Sequence, residues 1–168
     1  MRPLQHVAVS AVASAGFFYF FQNIGYTIVA FITGVFLDID HFFDYFHIAG
    51  FRFSLKEFRL SEYCISAKQV FLFFHSYELL IPIALYGYLS GNYLLAAALG
   101  TGTLVHLLSD NLWNPVTRPA YFLLYRLYHR FSADSFFRHD YKTVIYKLDP
   151  AKHHRIKRPQ TKTGTNGY

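Results

Sequence analysis

Apolar residues fall into four blocks separated by short polar interruptions, and each block is long enough to form a helix. The first runs from about Leu4 to Phe21, rich in Ala and Ser and then in Phe and Tyr. Gln22-Asn23-Ile24-Gly25 ends it with the residue types of a turn. A second block covers about Tyr26 to Leu37, roughly 18 Å at helical rise. That is short against a hydrocarbon core of about 30 Å, so back-extension, tilt or partial penetration is expected. The third covers Gln69 to Leu89, with Pro82 predicting a kink, and Ser90-Gly91-Asn92 forms the next turn. The fourth, Tyr93 to Leu112, carries Gly100 and Gly102, small positions that let helices approach closely, and Asn114-Pro115 stops it.

The intervening stretches are mixed. From His41 to Lys68 the charges of Arg52, Lys56, Glu57, Arg59, Glu62 and Lys68 alternate with aromatics, the pattern of an interfacial loop with one or two short helices. Residues 119–131 set a Leu/Tyr/Phe face against Arg126, His129 and Arg130, predicting a helix lying in a membrane interface. Residues 132–148 carry no assignable pattern. From Asp149 the chain is polar and basic without a hydrophobic period, so 149–168 reads as a disordered tail behind a membrane-embedded domain of 1–148. No internal repeat is visible.

Composition sharpens this picture. Hydrophobic residues make up 53% and charged residues only 15%, more apolar surface than 168 residues can bury internally. The net charge of +6 would permit nucleic-acid binding, but no Lys, Arg, Asp or Glu lies between Arg2 and Asp38 or between Glu78 and Asp110. Such neutral runs favour a lipid bilayer and no nucleic-acid partner. The expected fold is all-α: a polytopic bundle of about four transmembrane or membrane-embedded helices plus interfacial ones. Because the apolar stretch continues past Ala13-Ser14-Ala15, and cleavage there would discard His6, the first helix is expected to remain uncleaved. All 16 Lys and Arg residues lie on one side of the bundle or after the fourth block, while the turns at 22–25 and 90–92 carry none. The positive-inside rule then predicts cytoplasmic N- and C-termini in an integral, bacterial inner-membrane protein. The lone Cys64 excludes an intrachain disulfide and reads as a small buried hydrophobe.

Candidate chemistry sits at alternating ends of the blocks. His6 opens the first, Asp38 closes the second, His75 lies near the start of the third, and His106 with Asp110 closes the fourth. In an up-down-up-down bundle those ends share one level, so imidazoles and carboxylates meet at one mouth. His106 and Asp110, four apart, project from one helical face. Asp38, Asp40 and His41 form a second cluster at a helix end, where a carboxylate opposes the helix dipole unless a cation is present. His75 and Glu78 form a third pair, and Glu78 at membrane depth requires a partner or a wet cavity. Asp44 and His47 read as solvated interface residues, and the His153-His154 pair in the tail has no readable role. Imidazole and carboxylate together suit Zn²⁺ and similar divalent ions, and they disfavour bis-histidine haem binding.

His6, the run GVFLDIDH at 34–41, FHS at 74–76 and HLLSDNLWNP at 106–115 together resemble the membrane-bound metal-dependent hydrolase family, which includes LexA-regulated inner-membrane proteins. That family is distantly similar to zinc-dependent phospholipase C, and the resemblance implies a reduced form of its helical core. Leu37 stands where the family motif has Pro.

These features lead to one expectation: a hydrolase with one or two divalent metals, zinc the expected ion, acting on a phosphoester of a lipid or lipid-linked substrate. His6, Asp38, His75, His106 and Asp110 are the ligands, with Asp110 the expected bridge. Asp40 or Glu78 serves as general base or extra ligand, and His41 orients a ligating carboxylate. Arg52, Arg59 or Lys68 would hold phosphate. The alternative is a non-enzymatic membrane protein with a structural metal or a polar ion or proton pathway.

Overall fold

A computed structural model describes residues 3–51 and 69–138, all helix and irregular segments without a strand among the described residues. The loop residues Arg52, Arg59, Cys64 and Lys68 and the tail with His153 and His154 lie outside the described residues. Helix α1 (Pro3–Phe21) turns at Gln22 into α2 (Ile24–Phe36), whose amino end is capped by the Asn23 side chain accepting from the Tyr26 amide. The second block does not stop at Leu37. A 3₁₀ turn, Leu37–Ile39, hands the chain directly to α3 (Asp40–Ala49), and Ile24–His47 forms one apolar run. Asp38 and Asp40 occupy a helix junction, with Asp40 in the first turn of α3, where a carboxylate is favoured by the dipole.

The third block departs most from expectation. Residues 69–76 are irregular, and after a 3₁₀ turn at Tyr77–Leu79 the helix α4 covers only Leu80–Ser90. Pro82 therefore falls in the first turn, where its missing N–H has no intrahelical partner to lose, and it begins a helix instead of kinking one. Gly91 at φ +69° ends α4, and Asn92 caps α5 (Tyr93–Trp113) through its side-chain oxygen. A 3₁₀ turn at Arg118–Tyr121 and the short helices α6 (Leu123–Tyr128) and α7 (Ala133–Phe136) complete the described chain. The long interfacial helix expected over 119–131 is thus a six-residue helix between turns, and Arg126 is buried instead of lying on a polar face.

Two stretches, Leu4–Phe21 and Ile24–His47, are long and apolar enough to cross a membrane. α4, at 11 residues, is about 16 Å long and does not have the length of a full span. α1, α2 and α5 pack mutually, and α4 packs on α5. Tyr26 Oη donates to Asn92 Oδ1 at one end, while Gly102 faces Ala30 and Gly34 further along. α2 and α5 therefore run in the same direction, with α1 opposed to both. A Cβ on Gly102 would lie 2.5 Å from the Ala30 carbonyl oxygen, so only glycine permits this approach. Gly100, one face away, has open space.

The bundle interior is small and polar. The buried positions of α1 are His6, Ser10, Ser14 and Phe17, a single stripe at helical spacing. They meet Ala30 and Gly34 of α2 and Ala98, Gly102, Thr103 and His106 of α5, all buried. Large apolar side chains such as Val12, Phe20, Ile28, Leu85 and Leu112 point outward. The opposite pattern holds beyond the mouth. There Tyr45, Val70, Leu72, Val116, Tyr121, Phe136 and Phe137 bury a conventional core with Leu37 and Leu107. This cap consists of α3, the segment 69–79 and residues 114–138.

Candidate metal centre

The mouth where the bundle meets the cap brings together five side chains from four stretches of sequence. One ligand atom each from His6, Asp38, His106 and Asp110 lies within 4.8 Å of every other, and the same holds for Asp38, His41 and His75. Asp38 belongs to both groups, so it is the shared carboxylate, the position expected of Asp110. His75 also links the groups: its Nε2 is 3.1 Å from Asp38 Oδ1, 3.3 Å from His106 Nε2 and 3.5 Å from Asp110 Oδ2. His6 Nε2 is 3.2 Å from Asp110 Oδ1 and 3.8 Å from Asp38 Oδ2. The His6 and His106 rings stack, with centroids 4.2 Å apart.

Backbone geometry fixes how the rings present themselves. His106 Nδ1 donates to the Gly34 carbonyl at 2.8 Å, and since a carbonyl only accepts, the proton lies on Nδ1. The Nε2 lone pair of the neutral ring then faces the cluster. His75 is held likewise, its Nδ1 bonded to the Asp40 carboxylate at 2.9–3.0 Å. With both Nδ1 atoms committed as donors, neither neutral ring has a proton to place between the two Nε2 atoms. An electrophile is needed there. The spacings suit one: adjacent ligands about 2.0–2.1 Å from a tetrahedral metal lie about 3.3 Å apart. Burial opposes a charged His75, but Asp40, Asp110 and Asp38 outweigh it and hold its pKa well above the ordinary 6.5. The donor set of imidazole nitrogen and carboxylate oxygen fits a divalent cation, and the carboxyl ends of α2 and α5 add favourable dipole charge.

His6, His75, His106 and Asp110 are buried, while the Asp38 side chain keeps 35% exposure and the His41 side chain 22%, so the cluster is reached past these two. His41 Nε2 lies 3.5 Å from Asp38 Oδ1, as expected of a residue that orients a ligating carboxylate.

The two expected general bases sit elsewhere in this scheme. Asp40 is occupied by His75 Nδ1 and by the Phe74 amide at 2.9 Å, so it orients a ligand. Glu78 is not brought to the cluster. Its carboxylate accepts from the Leu124 amide at 3.1 Å, capping α6, whose own N-cap Phe122 offers no side-chain acceptor. Although burial works against the charged form, the Leu123 and Leu124 amides hold the Glu78 pKa below its ordinary 4.5. Asp44, expected to be solvated, is buried and accepts from the Phe71 amide, whereas His47 is exposed with its ring edge against Phe71. The sequence pattern set Asp44 in solvent and Arg126 on a polar interfacial face, and both are instead buried against the 71–75 backbone. The only sequence signal for Asp44 was its place one helical turn after Asp40. Comparison with protein-family models, curated proteins and solved structures gives no match.

Proposed function

We propose that this protein is a membrane-embedded, metal-dependent hydrolase of phosphoesters, acting on a lipid or lipid-linked phosphate at the cytoplasmic face. The observation that carries the reading is the convergence of three imidazole Nε2 atoms and two carboxylates at one end of an apolar-sided bundle, with Asp38 open to the outside. A bound divalent ion, zinc the best match to this donor set, would supply Lewis acidity toward a phosphoryl oxygen and activate water near neutral pH. His6, Asp38, His75, His106 and Asp110 would hold one or two such ions. Asp40 keeps the His75 ring turned, and His41, partly exposed beside Asp38, is the group best placed to carry a proton to or from substrate. The resemblance to the membrane-bound metal-dependent hydrolases supports the same chemistry.

Against an ion or proton pathway stands the packing beneath the site. The buried polar stripe His6, Ser10, Ser14 of α1 gives way to Phe17, which clusters with Ala30 and Ala98.

The test is metal content and phosphoester turnover of the full chain purified in detergent, compared with Asp110→Asn. An amide is a far poorer ligand than a carboxylate, so D110N is expected to lose most of its metal and its hydrolysis while still inserting. Stoichiometric metal with no turnover across lipid and soluble phosphoesters would remove the enzyme and leave a structural ion. No metal in the wild-type chain would remove both.

A further inference from the structure

The segment 70–76 delivers His75 without being a helix or a strand, and its backbone is gripped from two sides by opposite charges. On the amide side, Phe71 N donates to Asp44 Oδ2 and Phe74 N to Asp40 Oδ2, each at 2.9 Å. Asp40 and Asp44 are one turn apart on α3, so a single helical face takes both amides. On the carbonyl side lies Arg126 of α6, 1% exposed. Its Nη1 donates to the carbonyls of Phe71 and Leu72 and its Nη2 to the carbonyl of His75, at 3.1 Å for the last. Within the segment the His75 amide closes a turn on the Leu72 carbonyl, with Leu72 at φ +40°, a conformation a branched side chain resists. A strained turn persists only where its surroundings over-determine it.

We infer that Arg126 is a positioning residue for the metal centre: its guanidinium holds the 71–75 turn in the conformation that brings His75 Nε2 to Asp38 and His106. The inference rests on the metal reading above. A planar fork meets three carbonyls from fixed directions, which a lysine ammonium on a flexible stem does not reproduce. Glu78 belongs to the same device, since capping α6 at Leu124 fixes the helix that carries Arg126 two residues further on. His75 is thereby held twice, through its ring by Asp40 and through its backbone by Arg126. The cap sets the geometry of a ligand for which it supplies no ligating atom from α6.

The experiment uses the full-length protein in detergent with Co²⁺ as probe, reading affinity and the visible absorption band, which reports coordination. Four variants are compared with wild type: Arg126→Gln, Arg126→Lys, His75→Ala and the double variant R126Q/H75A. R126Q is expected to weaken Co²⁺ binding by about 10- to 100-fold, the range for residues that orient a ligand, and to move the band toward that of H75A. R126K is expected to do the same in part. The double variant should bind no more weakly than H75A alone, because Arg126 acts through His75. A residue that merely stabilised the cap would instead give losses that multiply. Arg130→Gln, at an exposed position just after α6, should leave both readouts unchanged. Should R126Q fail to elute as a folded, helical species, the cycle is read with R126K and R126K/H75A. Wild-type affinity and spectrum in both Arg126 variants, or multiplying losses, would overturn the clamp alone. A wild-type chain that takes up no Co²⁺ would overturn the metal reading and the clamp with it.

Discussion

The bundle and the cap are built from similar residues with their polarity reversed. Inside the bundle lie Ser10, Ser14, Gly34, Gly102 and Thr103, and outside it Val12, Phe20, Ile28 and Leu112. Inside the cap lie Tyr45, Leu72, Tyr121, Phe136 and Phe137, as in a domain that folds in water. The difference shows which force holds each. If the bundle lies in a bilayer, its apolar exteriors would gain nothing by packing on one another instead of on lipid, so close approach of small residues and interior hydrogen bonds would hold the helices together. The cap instead gains from withdrawing large side chains from solvent. The His/Asp cluster that could hold a metal ion lies at the seam and draws side chains from both: His6, His106 and Asp110 from the bundle, His75 from the cap, and Asp38 from the junction between them.

The largest effect should come from Phe136→Ala. Phe136 is 6% exposed in the cap core, and its truncation is expected to destabilise the cap by about 3–5 kcal/mol. Phe20→Ala, at a position 77% exposed on the bundle exterior, should stay within about 0.5 kcal/mol. Thermal unfolding of the detergent-purified variants measures both, and equal losses would erase the contrast. Next in size is Val12→Lys at the middle of α1. A lysine at the centre of a spanning helix carries about 2.5–3.5 kcal/mol of insertion cost, and membrane-fraction yield should fall accordingly. If V12K accumulates in membranes like wild type, the exterior of the bundle faces water and the lipid reading is wrong. Gly102→Ala should cost about 1–3 kcal/mol by forcing α2 from α5, and it should weaken metal binding because His106 is held by Gly34 across that contact. Gly100→Ala, with open space around it, is the matched control and should behave as wild type.

The smallest expected effect is acid loosening of the cap. The folded pKa of Glu78 lies below its unfolded 4.5, so its contribution is present above pH 4.5 and lost as pH falls through the folded value. Replacing it by Gln, which still accepts from Leu124 but does not ionise, should remove that part of the acid sensitivity. The difference is on the order of a helix cap, about 1 kcal/mol. Proteolysis of residues 116–138 as a function of pH reads it.

Much of the helical architecture was legible because its signals are local. Asn23 and Asn92 cap helices that begin one residue later, and the apolar blocks of α1 and α5 match the helices within a few residues. Level ends in an antiparallel bundle singled out His6, Asp38, His106 and Asp110, and these residues do meet; His75 joins them from an irregular segment and not from the helix start expected of it. What could not be read depends on distant backbone. Val-Phe-Leu-Phe-Phe at 70–74 is apolar without a period, which does not distinguish a lipid-facing helix from a cap segment. The partners that decide it are Asp40, 34 positions from Phe74, and Arg126, 55 from Phe71. Glu78 looked like chemistry beside His75, yet its partner is an amide 46 residues later. A carboxylate that caps a remote helix leaves no mark in its neighbours.

The brevity of α4 has a consequence for the surrounding lipid. Opposite α1 and α5, each about 28–31 Å long, it presents an apolar wall of only about 16 Å. In a bilayer such a side would leave a hydrophobic mismatch, to be met by local thinning of the bilayer. Headgroups beside α4 would then sit deeper than elsewhere around the protein, lowering phosphates toward the level of the mouth. In a bilayer the short helix would make the protein one-sided, with its thinnest flank on the side of the segment that carries His75.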